Sequence, residues 1–175
     1  KRFISGEMSR EDVFLKGLDD YSREGIKTLF GPKVAGLDVK QKQVLLENGS
    51  TSYDKLIIAT GGRPTVPPIE GIERQGVFTL KTLEDAERIS VYTGERAVVI
   101  GAGPIGIEAS IALKKRGWKV SLVELLDWIL PRVFDEKPSL ILRKIIEDYG
   151  IEVLTGERAV KFNGDTHVHS AVTDK

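Results

Sequence analysis

The chain contains no cysteine. Disulfides, thiolate metal sites, cysteine nucleophiles and a redox-active thiol pair are therefore excluded within its 175 residues. Net charge is absent as well. The 26 Lys plus Arg balance 26 Asp plus Glu, so no basic surface for nucleic acid is implied. No apolar run approaches the roughly 18–20 residues that a membrane-crossing helix requires, and no secretory signal pattern is seen. A cytoplasmic globular protein is the expectation. Histidine is scarce: His167 and His169 lie two residues apart on one face of an expected strand. Without a third ligand nearby, they read as an exposed polar face rather than a metal site. Trp118 and Trp128 read as packing residues. No Ser–His–Asp arrangement and no paired-carboxylate site is indicated.

What is present is glycine in one specific arrangement. Val98-Val99-Ile100-Gly101-Ala102-Gly103-Pro104-Ile105-Gly106-Ile107-Glu108 is an apolar strand running into G-x-G-x-x-G, with a helix opening beyond it. Gly101 permits the tight turn, Gly103 lets a pyrophosphate approach the backbone, and Gly106 lets helix and strand pack closely. The helix N-terminus presents free N–H groups and the positive end of its dipole to phosphates. The helix is expected over Pro104–Arg116, with Gly117 as its stop. A second strand then follows over Lys119–Glu124. Glu124 stands 23 residues after Gly101, where a carboxylate accepts hydrogen bonds from the adenosine ribose. It would repel the 2′-phosphate of NADP. Leu125, Leu126 and Asp127 supply no nearby cation to offset that repulsion. NAD(H) is the expected cofactor.

Further elements follow from pattern. Ser9 and Asp12 resemble a capping box opening a helix with a Val13, Phe14, Leu18, Tyr21 stripe, stopped at Gly25. Strands are expected at Ile26–Phe30, Val34–Val39, Gln43–Glu47 and Ser52–Thr60, with Asn48-Gly49 as a turn. Leu56-Ile57-Ile58-Ala59 is apolar throughout, as in a strand buried on both faces. Residues 63–76, rich in Pro and Gly, form an ordered connector, and a helix spans Thr82–Thr93. Asp135 caps a helix to Tyr149. Ile151–Leu154 is the next strand, and Glu157–Phe162 with His167–Val172 form a hairpin.

Two motifs together carry a family resemblance. Tyr53-Asp54-Lys55-Leu56-Ile57-Ile58-Ala59-Thr60-Gly61-Gly62-Arg63-Pro64 resembles the ATG motif of FAD-dependent pyridine nucleotide–disulfide oxidoreductases. The G-x-G-x-x-G follows Thr60 by 41 residues, as in that family's NAD domain. Ile129-Leu130-Pro131, Asp135-Glu136 and Gly150-Ile151 are similar to the same domain. Lys1–Gly6 resembles the NADH oxidase, rubredoxin reductase and nitrite reductase branch.

The resemblance implies an α/β fold of the FAD/NAD(P)-binding, Rossmann-like kind, with parallel sheet and β-meander in two incomplete units. Residues 1–63 would be part of an FAD-binding domain and 64–94 a connector with a helix. Residues 95–175 would be an NAD-binding domain lacking its last strand. The first flavin G-x-G-x-x-G and the dimer-forming domain are not seen, so a central fragment or a split subunit is expected, with little FAD affinity of its own. By resemblance, Ile105 packs on the nicotinamide, and Glu108 meets the carboxamide or a lysine near the flavin. The alternative for Glu108 is a dipole-stabilising acid. Val34, Ala59, Thr60 and Gly61 resemble FAD-contacting positions. The leading reading is an NADH-dependent FAD oxidoreductase passing hydride from NADH to flavin. A nucleotide-binding module needing a complementary chain, and a non-catalytic relative, are the alternatives. The edge of the strand ending at Ala59 is expected to drive self-association, element swapping or binding of another chain.

Overall fold

The computed structural model describes residues 1–175. Phe14–Gly62 form one compact unit; Lys1–Val13 together with Arg63–Lys175 form the other.

In the smaller unit, helix α1 (Leu18–Arg23) is followed by strands β1 (Val34–Asp38), β2 (Gln43–Leu46) and β3 (Gly49–Ser52). The strands form an antiparallel meander in the order β1-β2-β3. Gly49 closes the β2–β3 turn at φ +132°, a conformation glycine adopts without strain.

Three sequence expectations fail in this unit and at its border. Ser9 and Asp12 do make reciprocal side-chain-to-backbone bonds. They close only a single 3-10 turn, Glu11–Val13, and Gly17 starts α1 afresh. Ile26–Phe30 is not a strand: Ile26, Leu29 and Phe30 are exposed and no strand pairs with them. Nor does Ser52–Thr60 continue as one. The ladder ends at Ser52, and Ile57 is 89% exposed. An apolar segment becomes a strand buried on both faces only when neighbouring strands pair with it. The edge expected at Ala59 is therefore not formed.

In the larger unit, helix α2 (Leu83–Val91) leads to strand β4 (Arg96–Ile100), helix α3 (Pro104–Lys115) and strand β5 (Lys119–Glu124). Helix α4 (Glu136–Asp148) and strand β6 (Ile151–Thr155) follow, then strands β7 (Ala159–Asn163) and β8 (Ser170–Thr173). β4, β5 and β6 form a parallel sheet in that order, with Val98 opposite Ser121 and Val120 opposite Ile151. Alternation sends Val120, Leu122, Ile151 and Val153 to one face, where Ile107, Ala112, Leu113 and Ile146 cover them. This is the main core.

The N-terminal segment belongs here rather than with the meander, unlike the expected boundary at residue 63. Ile4 is buried in the main core, and Glu7 pairs with Lys115 and Arg10 with Glu87. The connector is ordered by packing: Ile69, Ala159 and Phe162 make a second small core. β7 and β8 pair antiparallel. β8 starts at Ser170, so the expected strand is shorter and His167 and His169 precede it. The backbone of His167 instead bridges Gln75.

Candidate functional site

β4 delivers the chain to Gly101, whose N–H donates to the Val123 carbonyl at 2.8 Å. Gly101 then turns at φ +96°, a region that side-chain-bearing residues rarely adopt. Gly103 is the N-cap of α3, and Pro104 fills its first position, where a missing N–H costs nothing. The three glycines are needed for different reasons. A Cβ on Gly106 would stand 1.9 Å from the Gly101 carbonyl oxygen, so this residue permits the close approach of helix and loop. A Cβ on Gly103 would meet nothing within 4 Å. The protein itself leaves that space open, and the unpaired N–H groups of the first helical turn face a terminus of positive potential.

Ala102 is fully buried, and both its backbone groups are held. Its N–H donates to Glu124 Oε2 at 2.7 Å, and its carbonyl accepts from the Leu130 N–H at 2.9 Å. The other Glu124 oxygen, Oε1, accepts from the Leu126 N–H at 3.0 Å. Glu124 is thus buried at the end of β5, with one carboxyl oxygen bonded to the glycine loop and the other to the chain just beyond the strand. The spacing from Gly101 predicts a ribose contact for Glu124; the bond to Ala102 is a second role that the spacing does not announce.

A cavity of about 390 Å³ opens beside these residues. Gly101, Glu124 and Leu125 line one side, Pro67, Pro68 and Ile69 another, and Glu157–Val160 a third. The expectation of no nearby cation is corrected here, because Arg158 lines the same cavity. Arg158 comes from the loop after β6, 34 residues beyond Glu124, so no local pattern announces it. Its Nε lies 3.6 Å from Asp174 Oδ2, and its backbone N–H donates to Asp174 Oδ1 at 2.9 Å. That amide, with the Arg158 charge adding to it, holds the Asp174 carboxyl below its ordinary value.

At the other end of the loop, Ile105 is 56% exposed. Glu108, one turn further along α3, accepts from Lys1 Nζ at 2.7 Å. Lys1 and Glu108 are 107 residues apart in the chain, so no local pattern announces this pair. The flavin candidates Val34, Ala59, Thr60 and Gly61 all lie in the Phe14–Gly62 unit and are exposed. Gly61 has φ +71°. No group of three or more potential metal ligands occurs, and no helix is long and apolar enough to cross a membrane.

A family model described as pyridine nucleotide-disulphide oxidoreductase matches residues 2–175. The chain belongs to this family. Members of the family are NAD(P)H-dependent flavoproteins, and its NADH oxidases use FAD and NAD(H). An NADH oxidase of Methanocaldococcus jannaschii is 35% identical over 176 residues, 95% of this chain and 39% of that protein. Putidaredoxin reductase of Pseudomonas putida is 31% identical, over 95% of this chain and 41% of that protein. Among solved structures, putidaredoxin reductase in covalent complex with putidaredoxin superposes with a TM-score of 0.88 at 30% identity. That match covers 99% of this chain and 44% of the other. The water-forming NADH oxidase of Lactobacillus brevis bound to NADH gives 0.83 at 26% identity, covering 99% and 40%. The chain spans about two-fifths of the length of these family members.

Proposed function

We propose that this chain is the nicotinamide-nucleotide half, with part of the flavin half, of an NADH-dependent FAD oxidoreductase. The observation that carries the reading is the built phosphate cradle. The loop is clamped through Ala102, space is open at Gly103, and an acid and an adenosine-sized cavity lie beside it. The pyrophosphate sits on the N–H groups at the start of α3, and Glu124 accepts from the ribose hydroxyls with its remaining lone pairs. Ile105 lies under the nicotinamide, and the Lys1–Glu108 pair flanks the ring's reactive end. Bound FAD supplies the hydride acceptor. The residues Val34, Ala59, Thr60 and Gly61 supply only part of its site, and Ile57 and Ile58 stand exposed beside them. Further polypeptide covers that apolar segment, either from the same protein or from a complementary chain or second copy.

The test is calorimetric titration of the chain with NADH and, separately, FAD. NADH binding abolished by Gly103→Val, with weak or no FAD binding, is expected. Absence of NADH binding, or binding indifferent to Gly103→Val, overturns the reading. In a flavin-loaded longer form, Glu108→Gln should slow flavin reduction by NADH while leaving stability nearly unchanged. The reason is that a half-exposed ion pair contributes at most about 1 kcal/mol.

A further inference from the structure

Only two side-chain-bearing residues have a positive φ, Lys42 and Leu130. Lys42 is exposed in the turn between β1 and β2. Leu130, at φ +50°, is buried in the main core. It also precedes Pro131, and a residue before proline is pushed toward extended backbone. Its own side chain and the following ring both oppose this conformation, so the surroundings impose it. The turn is pinned on both sides. The Leu130 carbonyl accepts from the N–H groups of Val133 at 2.8 Å and Phe134 at 2.9 Å. The Ile129 carbonyl accepts from the Ser139 hydroxyl at 2.7 Å, and both of these residues are buried. The Leu130 N–H donates to the Ala102 carbonyl at 2.9 Å.

A peptide unit is planar and trans, so its C=O and N–H point in opposite directions. Ser139, in the first turns of α4, holds the Ile129 carbonyl and thereby aims the N–H of the same peptide at Ala102. The Ala102 carbonyl, once held, turns the Gly103 N–H the opposite way. The same geometry recurs one residue earlier. The Ala102 N–H is held by Glu124, and the Gly101 carbonyl at the far side of that peptide points at Gly106, 1.9 Å from where a Cβ would stand. Two successive peptides of the glycine loop are therefore fixed, each by one bond to the region beyond β4. No hydrogen bond of the chain uses the Gly103 N–H, and the space beside Gly103 is open to 4 Å from a Cβ position.

We propose that Leu130 is a positioning residue for nucleotide binding. Its N–H, set in a strained turn anchored on α4, orients the Ala102–Gly103 peptide so that the Gly103 N–H is free for a pyrophosphate oxygen. The proposal rests on the nucleotide reading above and gives the loop after β5 a part in it. The backbone amide acts on the loop, whereas the side chain serves the core. This is why a leucine occupies a conformation that glycine would adopt without strain. Because the peptide is aligned before any ligand arrives, binding need not order it.

The experiment replaces Leu130 by its α-hydroxy acid in the full 175-residue chain. The N–H becomes an ester oxygen, while side chain and chirality are kept. NADH and ADP-ribose, which carry the pyrophosphate, should each bind about tenfold more weakly. Adenosine, which lacks it, should bind unchanged, and the amide NMR signal of Gly103 should shift in the nucleotide-free chain. A loss shared equally by all three ligands is a merely structural effect and overturns the proposal. Leu130→Gly keeps the N–H and takes a positive φ freely. It should bind NADH within about twofold of the unsubstituted chain, although its melting temperature falls with the lost core packing. A tenfold loss of NADH in Leu130→Gly overturns the proposal even where the ester chain does not fold. NADH bound as tightly by the ester chain as by the unsubstituted one overturns the proposal alone. An unsubstituted chain that binds no NADH overturns the nucleotide reading and the proposal with it.

Discussion

The Glu124 carboxylate and the Ala102 amide meet at 2.7 Å across 22 residues of chain. This bond ties the end of β5 to the glycine loop after β4 before any nucleotide arrives. Ala102 is wholly buried, and Glu124 Oε2 is the acceptor its N–H is given. Glu124→Ala should therefore destabilise the fold by about 1–3 kcal/mol, the cost of an unsatisfied buried donor. Urea unfolding of the nucleotide-free chain measures it. An unchanged midpoint would show that the loop is held without Glu124.

The glycines of the loop should separate stability from binding. Gly106→Ala forces a Cβ to within 1.9 Å of the Gly101 carbonyl oxygen, so helix and loop must move apart. A loss of about 1–3 kcal/mol is expected, as for other overpacked sites. Gly103→Ala meets open space and should leave thermal unfolding nearly unchanged. It should still weaken NADH by about tenfold or more, because the methyl occupies the pyrophosphate's approach. Equal effects of the two changes on stability would contradict this division.

The parallel sheet was legible because each of its strands carries its own apolar pattern and each connection its own stop. Gly117 and Gly150, both at positive φ, end α3 and α4 where expected. The segments Ile26–Phe30 and Leu56–Ala59 misled for one reason. Their composition records burial against neighbours, and a strand pattern cannot supply the neighbours itself. The Gly101, Gly103, Gly106 and Glu124 constellation was readable from spacing. Lys1, Arg158 and Asp174 were not, since each reaches its place through tertiary folding across tens of residues. The clamp on Ala102 was hidden too, because a backbone N–H leaves no signature in side-chain sequence.

The start of α2 should show a defined acid dependence. Thr82 caps the helix by accepting from the Asp85 N–H at 3.2 Å, and Asp85 accepts in return from the N–H groups of Thr82 and Lys81. The Thr82 amide first, then that of Lys81, holds the Asp85 carboxyl below its ordinary value of 3.8. A lowered folded-state value means stabilisation that is fully present above the unfolded value and lost as pH falls through the folded one. Thr82→Ala should cost about 1 kcal/mol at neutral pH. Asp85→Asn should lower the melting temperature at pH 7, and the difference from the unsubstituted chain should shrink below about pH 4. A gap independent of pH would remove the carboxylate from the cap.

Cofactor choice turns on Glu124 and Arg158 together. A 2′-phosphate entering the cavity beside Gly101 meets the buried Glu124 carboxylate. Like charges at about 4 Å repel by about 4 kcal/mol at an effective dielectric near 20. Arg158 lines the same cavity, but its charge is partly spent on Asp174 at 3.6 Å and faces solvent, where screening is strong. The repulsion should prevail, so NADH should bind at least about tenfold more tightly than NADPH, about 1.4 kcal/mol. Glu124→Ala should weaken NADH and narrow the gap. Asp174→Asn should narrow it from the other side, raising NADPH affinity a few-fold and leaving NADH unchanged, because the Arg158 guanidinium is then free for the phosphate. Calorimetric titration of the three proteins with both nucleotides checks each arm. Equal affinity for NADH and NADPH in the unsubstituted chain would remove Glu124 as ribose ligand while leaving its bond to Ala102 intact. An Asp174→Asn variant with unchanged NADPH affinity would show that Arg158 does not reach the 2′-position.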